Sequence, residues 1–186
     1  MSGFLNILGK LFGNKYEKDI KQINPIVEQI NSEFEKFKNL DNNELRSKTN
    51  DLKKQIQDFI SVEKEEIKKL KKKSKLKSIP TQDKEEIYTK IDTLQKKILE
   101  KTEEILNKIL PIAFAVIKET ARRFANNETI EVIASEQDRK LAETKEFISI
   151  NETKATYQTK WNAAGTQIKW DMIHYDVQLI GGIVLH

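Results

Sequence analysis

The chain has 186 residues, 38% hydrophobic and 33% charged, a lean apolar supply that favours long helices with narrow buried seams over a thick core. Its 33 basic and 29 acidic residues leave a net charge of +4, too small an excess to demand a nucleic-acid partner. Without cysteine it forms no disulfide and no thiolate metal site, and no apolar run approaches the roughly 18 residues needed to cross a bilayer.

The first residues lack a basic stretch and a small-residue cleavage site, so they do not read as a secretory signal. Phe4, Leu5, Ile7, Leu8, Leu11 and Phe12 fall on one helical face, with Lys10 and Lys15 nearby and Gly13-Asn14 closing the element over 1–15. Such a helix can lie in a bilayer interface, gaining about 25 cal/mol per Å² of buried apolar surface and roughly 1 kcal/mol per lysine at an anionic leaflet. It can equally dock on the rest of its own chain.

Connecting helices are expected over 16–60. Ile20, Ile23, Val27, Ile30, Phe34 and Phe37 recur at three and four residues, the seam of a helix packed on a partner. Pro25, which costs about 3 kcal/mol inside a helix, predicts a kink or a helix start. Asp41 stands three residues before Glu44 in an Asp-led capping box, opening a helix with Leu45, Thr49, Leu52, Ile56 and Phe59 inward.

A lysine-rich stretch follows, Lys64, Lys68, Lys69, Lys71, Lys72, Lys73, Lys75 and Lys77, with no aromatic interleaved. Glu63, Glu65 and Glu66 just before it favour a solvated helix face over a site for nucleic acid or acidic lipid. Pro80-Thr81 marks a turn and a fresh helix, in which Ile87, Ile91, Leu94, Ile98, Ile105 and Ile109 recur at near-heptad spacing. An antiparallel helical hairpin over 61–108 is expected.

Pro111 either stops that helix or opens the next at its first turn, and Phe114, Ile117, Ala121 and Phe124 line one face over 109–126. Beyond Asn126-Asn127 the period becomes two. Thr129 to Ala134, Lys145 to Ile150, Lys154 to Trp161 and Thr166 to Trp170 predict an antiparallel sheet of three or four short strands over 127–171, with Trp161 and Trp170 in its packing core. The expected fold class is therefore mainly α with a small antiparallel β insertion. His174 and His186 are too few for a metal site, and no arrangement of side chains supports nucleophilic catalysis, so no metal-binding or catalytic residue is assigned.

The last segment, 172–186, sets Gln178 among consecutive apolar residues, with aromatics upstream and Gly181-Gly182 downstream. A carboxamide offers an acceptor oxygen and a donor NH2, the pattern that matches N6 and N7 of adenine, while Tyr175 or Trp170 could cover a base face. The other reading is a polar residue on an ordinary amphipathic helix.

Tyr175-Asp176-Val177-Gln178-Leu179-Ile180-Gly181-Gly182-Ile183-Val184-Leu185 resembles the Q motif of the SecA family, ATP-driven motors of bacterial preprotein export. Two further blocks occur in matching order. Residues 110–123, from Leu110 through Phe114 to Arg123, resemble the family's "PEAFAVVREA" segment, and 40–49, from Leu40 to Thr49, its "LSDEELKGKT" segment.

The resemblance implies ATP as cofactor, its adenine selected by Gln178 with Tyr175 and Met172 packed on the base. It implies that Phe4, Leu5, Ile7, Leu8, Lys10, Leu11 and Phe12 contact acidic phospholipid and the membrane channel. The implied partners are a SecYEG-type channel, unfolded preproteins and acidic phospholipids, with a homodimer left open and no nucleic acid. The implied location is the cytoplasm, peripherally on the inner membrane. Relative to shorter members, 61–108 and 127–171 are insertions.

Two departures matter. Ile173 stands where many members carry Arg, and the family's "TGEGKT" phosphate loop would follow the last residue here. Magnesium and the phosphates would then be held by residues beyond this stretch. The chain reads as the amino-terminal helices and Q motif of an incomplete α/β P-loop motor domain, without ATP hydrolysis of its own. The competing reading is a non-enzymatic helical hairpin module that binds a partner protein or an anionic surface.

Overall fold

The structure is a computed structural model that describes residues 3–76 and 79–186, with side chains from Lys18 onward. Its elements in chain order are α1 (Gly3–Phe37), α2 (Asn42–Phe59), α3 (Ser61–Ser74), α4 (Thr81–Asn126), β1 (Thr129–Ile133), α5 (Glu136–Ala142), β2 (Ile148–Asn151), β3 (Lys154–Gln158), β4 (Lys160–Ala163), β5 (Thr166–Lys169) and α6 (Asp176–Leu185). They form two compact units, one of Met1–Arg46 with Pro111–His186 and one of Ser47–Leu110. No helix among the described residues is long and apolar enough to cross a membrane.

In the first unit, α1 runs unbroken through Gly13-Asn14 and through Pro25, so neither the expected closure nor a helix start occurs there. A proline removes one amide donor at a cost of about 3 kcal/mol. The two turns that follow bury Val27, Ile30, Phe34 and Phe37 in the unit's core, and burying a side chain of that size returns roughly 1.5–3 kcal/mol. The side chains of Phe4, Leu5, Ile7, Leu8, Lys10, Leu11 and Phe12 lie outside the described residues.

The Asp41 capping box forms as its sequence predicts. Asp41 Oδ1 accepts from the amides of Asn43 and Glu44 at 2.7 and 2.8 Å, and the Asp41 amide donates to Glu44 Oε2 at 2.7 Å. Leu45 and Leu52 are buried, whereas Thr49, expected inward, faces solvent.

Helix α4 passes through Pro111 as one helix, so the separate helix expected over 109–126 is not seen. Ile109, Leu110, Pro111, Ala115 and Val116 are all buried, and that burial outweighs one lost hydrogen bond. Ile117, expected on the inner face with Phe114, is exposed.

In its place the helix buries a charged group. Glu119 is fully enclosed and accepts from Arg122 Nε at 2.7 Å, Arg122 Nη2 at 2.8 Å and Arg123 Nε at 2.7 Å. Arg123 also donates to the carbonyls of Phe37 and Leu40 at 3.0 and 2.7 Å, satisfying acceptors at the end of α1. Burial pushes the Glu119 carboxyl up, and the two guanidinium groups overcome it, holding the group below the usual carboxylate range.

The β region is two sheets. A three-stranded antiparallel sheet runs in the order β1-β3-β2, with Val132 opposite Ala155 and Ile148 opposite Tyr157, and a separate hairpin pairs β4 with β5. The expected strand from Lys154 to Trp161 breaks at Thr159, whose buried hydroxyl donates to the Asn127 carbonyl at 2.8 Å. Ala164 and Gly165, at φ 50° and 82°, form the two-residue β4–β5 turn, in which both central residues are left-handed.

The sheet core is Ile130, Val132 and Ala155 with Phe124, Ile150 and Tyr157 against it. The tryptophans expected there are half-buried at its margins: Trp161 meets Phe147 at 6.4 Å between ring centroids and Trp170 meets Phe124 at 6.3 Å.

Helix α5 was not expected. Its N-cap Ser135 closes a capping box with Asp138, whose side chain is buried. Asp138 accepts both nitrogens of the Arg46 fork at 2.8 and 2.7 Å, the Ser135 amide at 2.7 Å, and the Tyr157 hydroxyl. Burial pushes this carboxyl up, and the hydrogen bonds from Arg46, Tyr157 and Ser135 hold it well below the usual range. Burial and the bond to Asp138 push the Tyr157 hydroxyl up to about 12.

The second unit contains the expected helical hairpin. Ile67 of α3 packs against Ile87, Ile91 and Leu94 of α4, with Leu70, Ile79 and Ile98 around them. Glu66 pairs with Lys90 at 2.7 Å, while Glu63, one turn earlier, reaches Lys97 at 3.0 Å and Lys101 at 2.8 Å, which fixes the antiparallel register. Hydrogen bonds from Lys101 and Lys97 lower the Glu63 pKa to about 2.

Candidate nucleotide-base site

Helix α6 carries Gln178, and its first turn is tied down by charge. Asp176, favourable at a helix N-terminus, accepts from Asn31 Nδ2 at 3.1 Å and lies 3.6 Å from Lys118 Nζ. Lys118 donates to Asn31 Oδ1 at 2.7 Å and stands 5.2 Å from the Phe34 ring centroid. The buried Lys118 thus has a hydrogen-bond acceptor, a carboxylate and an aromatic face as partners, which offset its desolvation. Asn31 and Lys118 were not singled out in the sequence. The signal was a lysine flanked on α4 by Val116, Ala115 and Ala121, positions that face the core.

The next turns of α6 pack. Leu179 is 2% exposed within the cluster of Val27, Ile30, Phe34, Ala115 and Val116. At Gly182 a Cβ would lie 2.7 Å from Phe114 Cε1, whereas at Gly181 it would meet nothing within 4 Å. The pair therefore separates by substitution. Gly182→Ala should lower the stability of the chain by about 1–2 kcal/mol because the Phe114 ring must give way. Gly181→Ala should be neutral or gain up to about 1 kcal/mol from helix propensity. Urea denaturation of both variants measures the difference.

Gln178 itself is exposed. Its Oε1 accepts from the Tyr175 amide at 2.8 Å, the reach of a third-position side chain back to the N-cap residue, and its Nε2 lies 4.0 Å from Met172 Sδ, a weak acceptor. The structure thus brings Met172, Tyr175 and Gln178 together. The Tyr175 side chain is 74% exposed beside them. Trp170, the other aromatic considered for a base face, is half-buried against Phe124 and donates from Nε1 to the Met172 carbonyl at 2.8 Å. It shapes the segment entering α6.

The amide keeps a second lone pair on Oε1 and a donor hydrogen on Nε2, which suit the N6 amino group and N7 of adenine. These residues fit a purine base. The 186 residues contain no Gly-rich loop ending in Lys-Ser or Lys-Thr, the pattern whose backbone amides cradle phosphates.

Comparison with known proteins gives a consistent result. The family model described as "SecA DEAD-like domain" matches residues 8–186. Protein translocase subunit SecA of Porphyromonas gingivalis is 49% identical over 184 residues, covering 99% of this chain and 16% of that protein. The same-named proteins of Azobacteroides pseudotrichonymphae and Flavobacterium psychrophilum are 48% and 45% identical, over 98% and 100% of the chain and 16% and 17% of theirs. The chain spans about a sixth of the length of these relatives. No solved structure matches. With its family model matched over nearly its whole length, the chain belongs to the SecA DEAD-like domain family.

Proposed function

We propose that this chain supplies part of a SecA motor that couples ATP hydrolysis to the transfer of preproteins across the cytoplasmic membrane through a SecYEG-type channel. In this reading Gln178 is the adenine reader, with Met172 and Tyr175 packed on the base, and residues beyond the stretch described hold the phosphates and magnesium. What supports it is the geometry of one side chain: an exposed carboxamide on the first turn of a helix whose Asp176 is held by Asn31 and Lys118. An amide anchored in that way presents its hydrogen-bonding edge at a low entropic cost.

The α1 residues Phe4, Leu5, Ile7, Leu8, Lys10, Leu11 and Phe12 are proposed to contact acidic phospholipid and the channel, consistent with their one-sided spacing. The 186 residues alone are expected to bind ATP weakly or not at all and not to hydrolyse it, because a base contact without a phosphate cradle supplies little affinity.

Gln178→Ala in the complete protein tests the assignment. The expected loss is about 1–3 kcal/mol of base discrimination, read as a roughly 5- to 150-fold fall in the ATP-over-GTP preference in competition binding. Unchanged ATP affinity and unchanged preference would contradict it.

A further inference from the structure

The hairpin of the second unit ends in a charge imbalance that the motor reading leaves unused. Between Lys68 and Glu86 the sequence places eight lysines against three carboxylates. The acidic residues at the start of α3 are consumed within the hairpin: Glu63 by Lys97 and Lys101, Glu66 by Lys90, and Glu65 by Lys68. Toward the tip, Lys69, Lys71, Lys72, Lys73 and Lys75 are exposed, and among the described residues none of them makes an ion pair.

The favourable dipole at a helix C-terminus accounts for Lys71, Lys72 and Lys73 in the last turn of α3 and for Lys75 at its C-cap, but not for Lys69. Nor does it account for Leu76, which follows that turn with 54% of its surface exposed. Ile67, Leu70 and Ser74 line the inner side of α3, so Lys69, Lys72 and Lys73 lie on the side turned away from α4 while Lys71 flanks the seam.

We propose that this hairpin tip docks on an anionic bilayer surface, lysines over the headgroup phosphates and Leu76 at the acyl boundary. Lipid is favoured over nucleic acid by what the tip lacks. From Ser61 to Ile87 there is no aromatic side chain to stack a base and no arginine fork for a phosphate or a base edge. A lysine cluster with an exposed aliphatic residue is the composition that an anionic interface selects. The proposal uses neither Gln178 nor the amino-terminal residues, so it stands or falls independently of the proposed ATP site.

The chain has no cysteine, which allows one site to be probed. The Leu76→Cys chain carries an environment-sensitive fluorophore and is titrated with phosphatidylcholine vesicles, with and without phosphatidylglycerol. The expected result is a blue shift only with the anionic vesicles, reversed by salt. In the same labelled chain, replacing Lys69, Lys71, Lys72, Lys73 and Lys75 by Gln should raise the lipid concentration at the midpoint at least about tenfold.

A label that stays in water while the chain sediments with vesicles would overturn the proposal. So would an unmoved midpoint in the glutamine variant, or displacement of the label from vesicles by a poly(U) RNA that binds it more tightly. Should the glutamine variant lose helicity, the labelled chain with native lysines decides the matter alone.

Discussion

Glu119→Ala should cost about 3–5 kcal/mol of unfolding free energy, the largest effect expected of a single substitution here. The carboxylate is fully buried, and its removal leaves the Arg123 guanidinium, also buried, without a counter-charge. Arg123 cannot swing into water without abandoning the carbonyls of Phe37 and Leu40 and the Asn42 side chain, to which it donates at 2.7 Å. The variant therefore bears one penalty or the other, a stranded buried charge if Arg123 stays or unsatisfied acceptors if it leaves. Trp161 and Trp170 both belong to the first unit, so intrinsic fluorescence during urea denaturation reports on the unit concerned. A loss below about 1 kcal/mol would show that this network is not what ties α4 to the end of α1.

Arg46→Ala should follow, at about 3 kcal/mol, because it leaves the Asp138 carboxylate buried with the Tyr157 hydroxyl and Ser135 as its remaining donors. The pH dependence gives a second signature. Asp138 has a folded pKa below its unfolded value, so its contribution is fully present above about pH 4 and is lost as pH falls toward the folded value. The deficit of Arg46→Ala against the parent should accordingly narrow in acid. Tyr157 is displaced the other way, from 10.0 to about 12, so its contribution is present below about pH 10 and drains away as pH rises through 12. Tyr157→Phe should remove that alkaline decline, measured as the denaturation midpoint from pH 8 to 12.

What could be read from the sequence was local. The capping box of Asp41 and Glu44, the turn at Pro80, the three- and four-residue seam from Val27 to Phe37 and the isoleucines of the hairpin each need only a few neighbouring residues, and each forms. The two prolines misled because their cost is local whereas the burial that offsets it comes from other helices: Pro25 is followed by residues packed under α6, and Pro111 is itself buried. Helix α5 was legible in principle, since Ser135 and Asp138 stand in capping-box spacing, but its seven residues show no apolar period. The polar clusters were not legible, because Asp138 meets Arg46 across 92 residues of chain and Lys118 meets Asn31 across 87.

For the proposed base site, the sequence singled out Gln178 and Tyr175 and the family resemblance added Met172, and the fold gathers the three at the start of α6. It also ranked Trp170 beside Tyr175 as a ring for the base, and the structure commits Trp170 to Phe124. A pattern of residue types can nominate an amide, but only packing says which nearby aromatic is free.

A structure of the complete polypeptide with bound ATP would measure the central claim most directly. The account predicts that the Gln178 carboxamide lies within about 3 Å of N6 and N7 of the adenine, its oxygen toward the amino group and its nitrogen toward the ring nitrogen. An adenine seated elsewhere, with Gln178 still folded back on the Tyr175 amide and touching no part of the nucleotide, would contradict it.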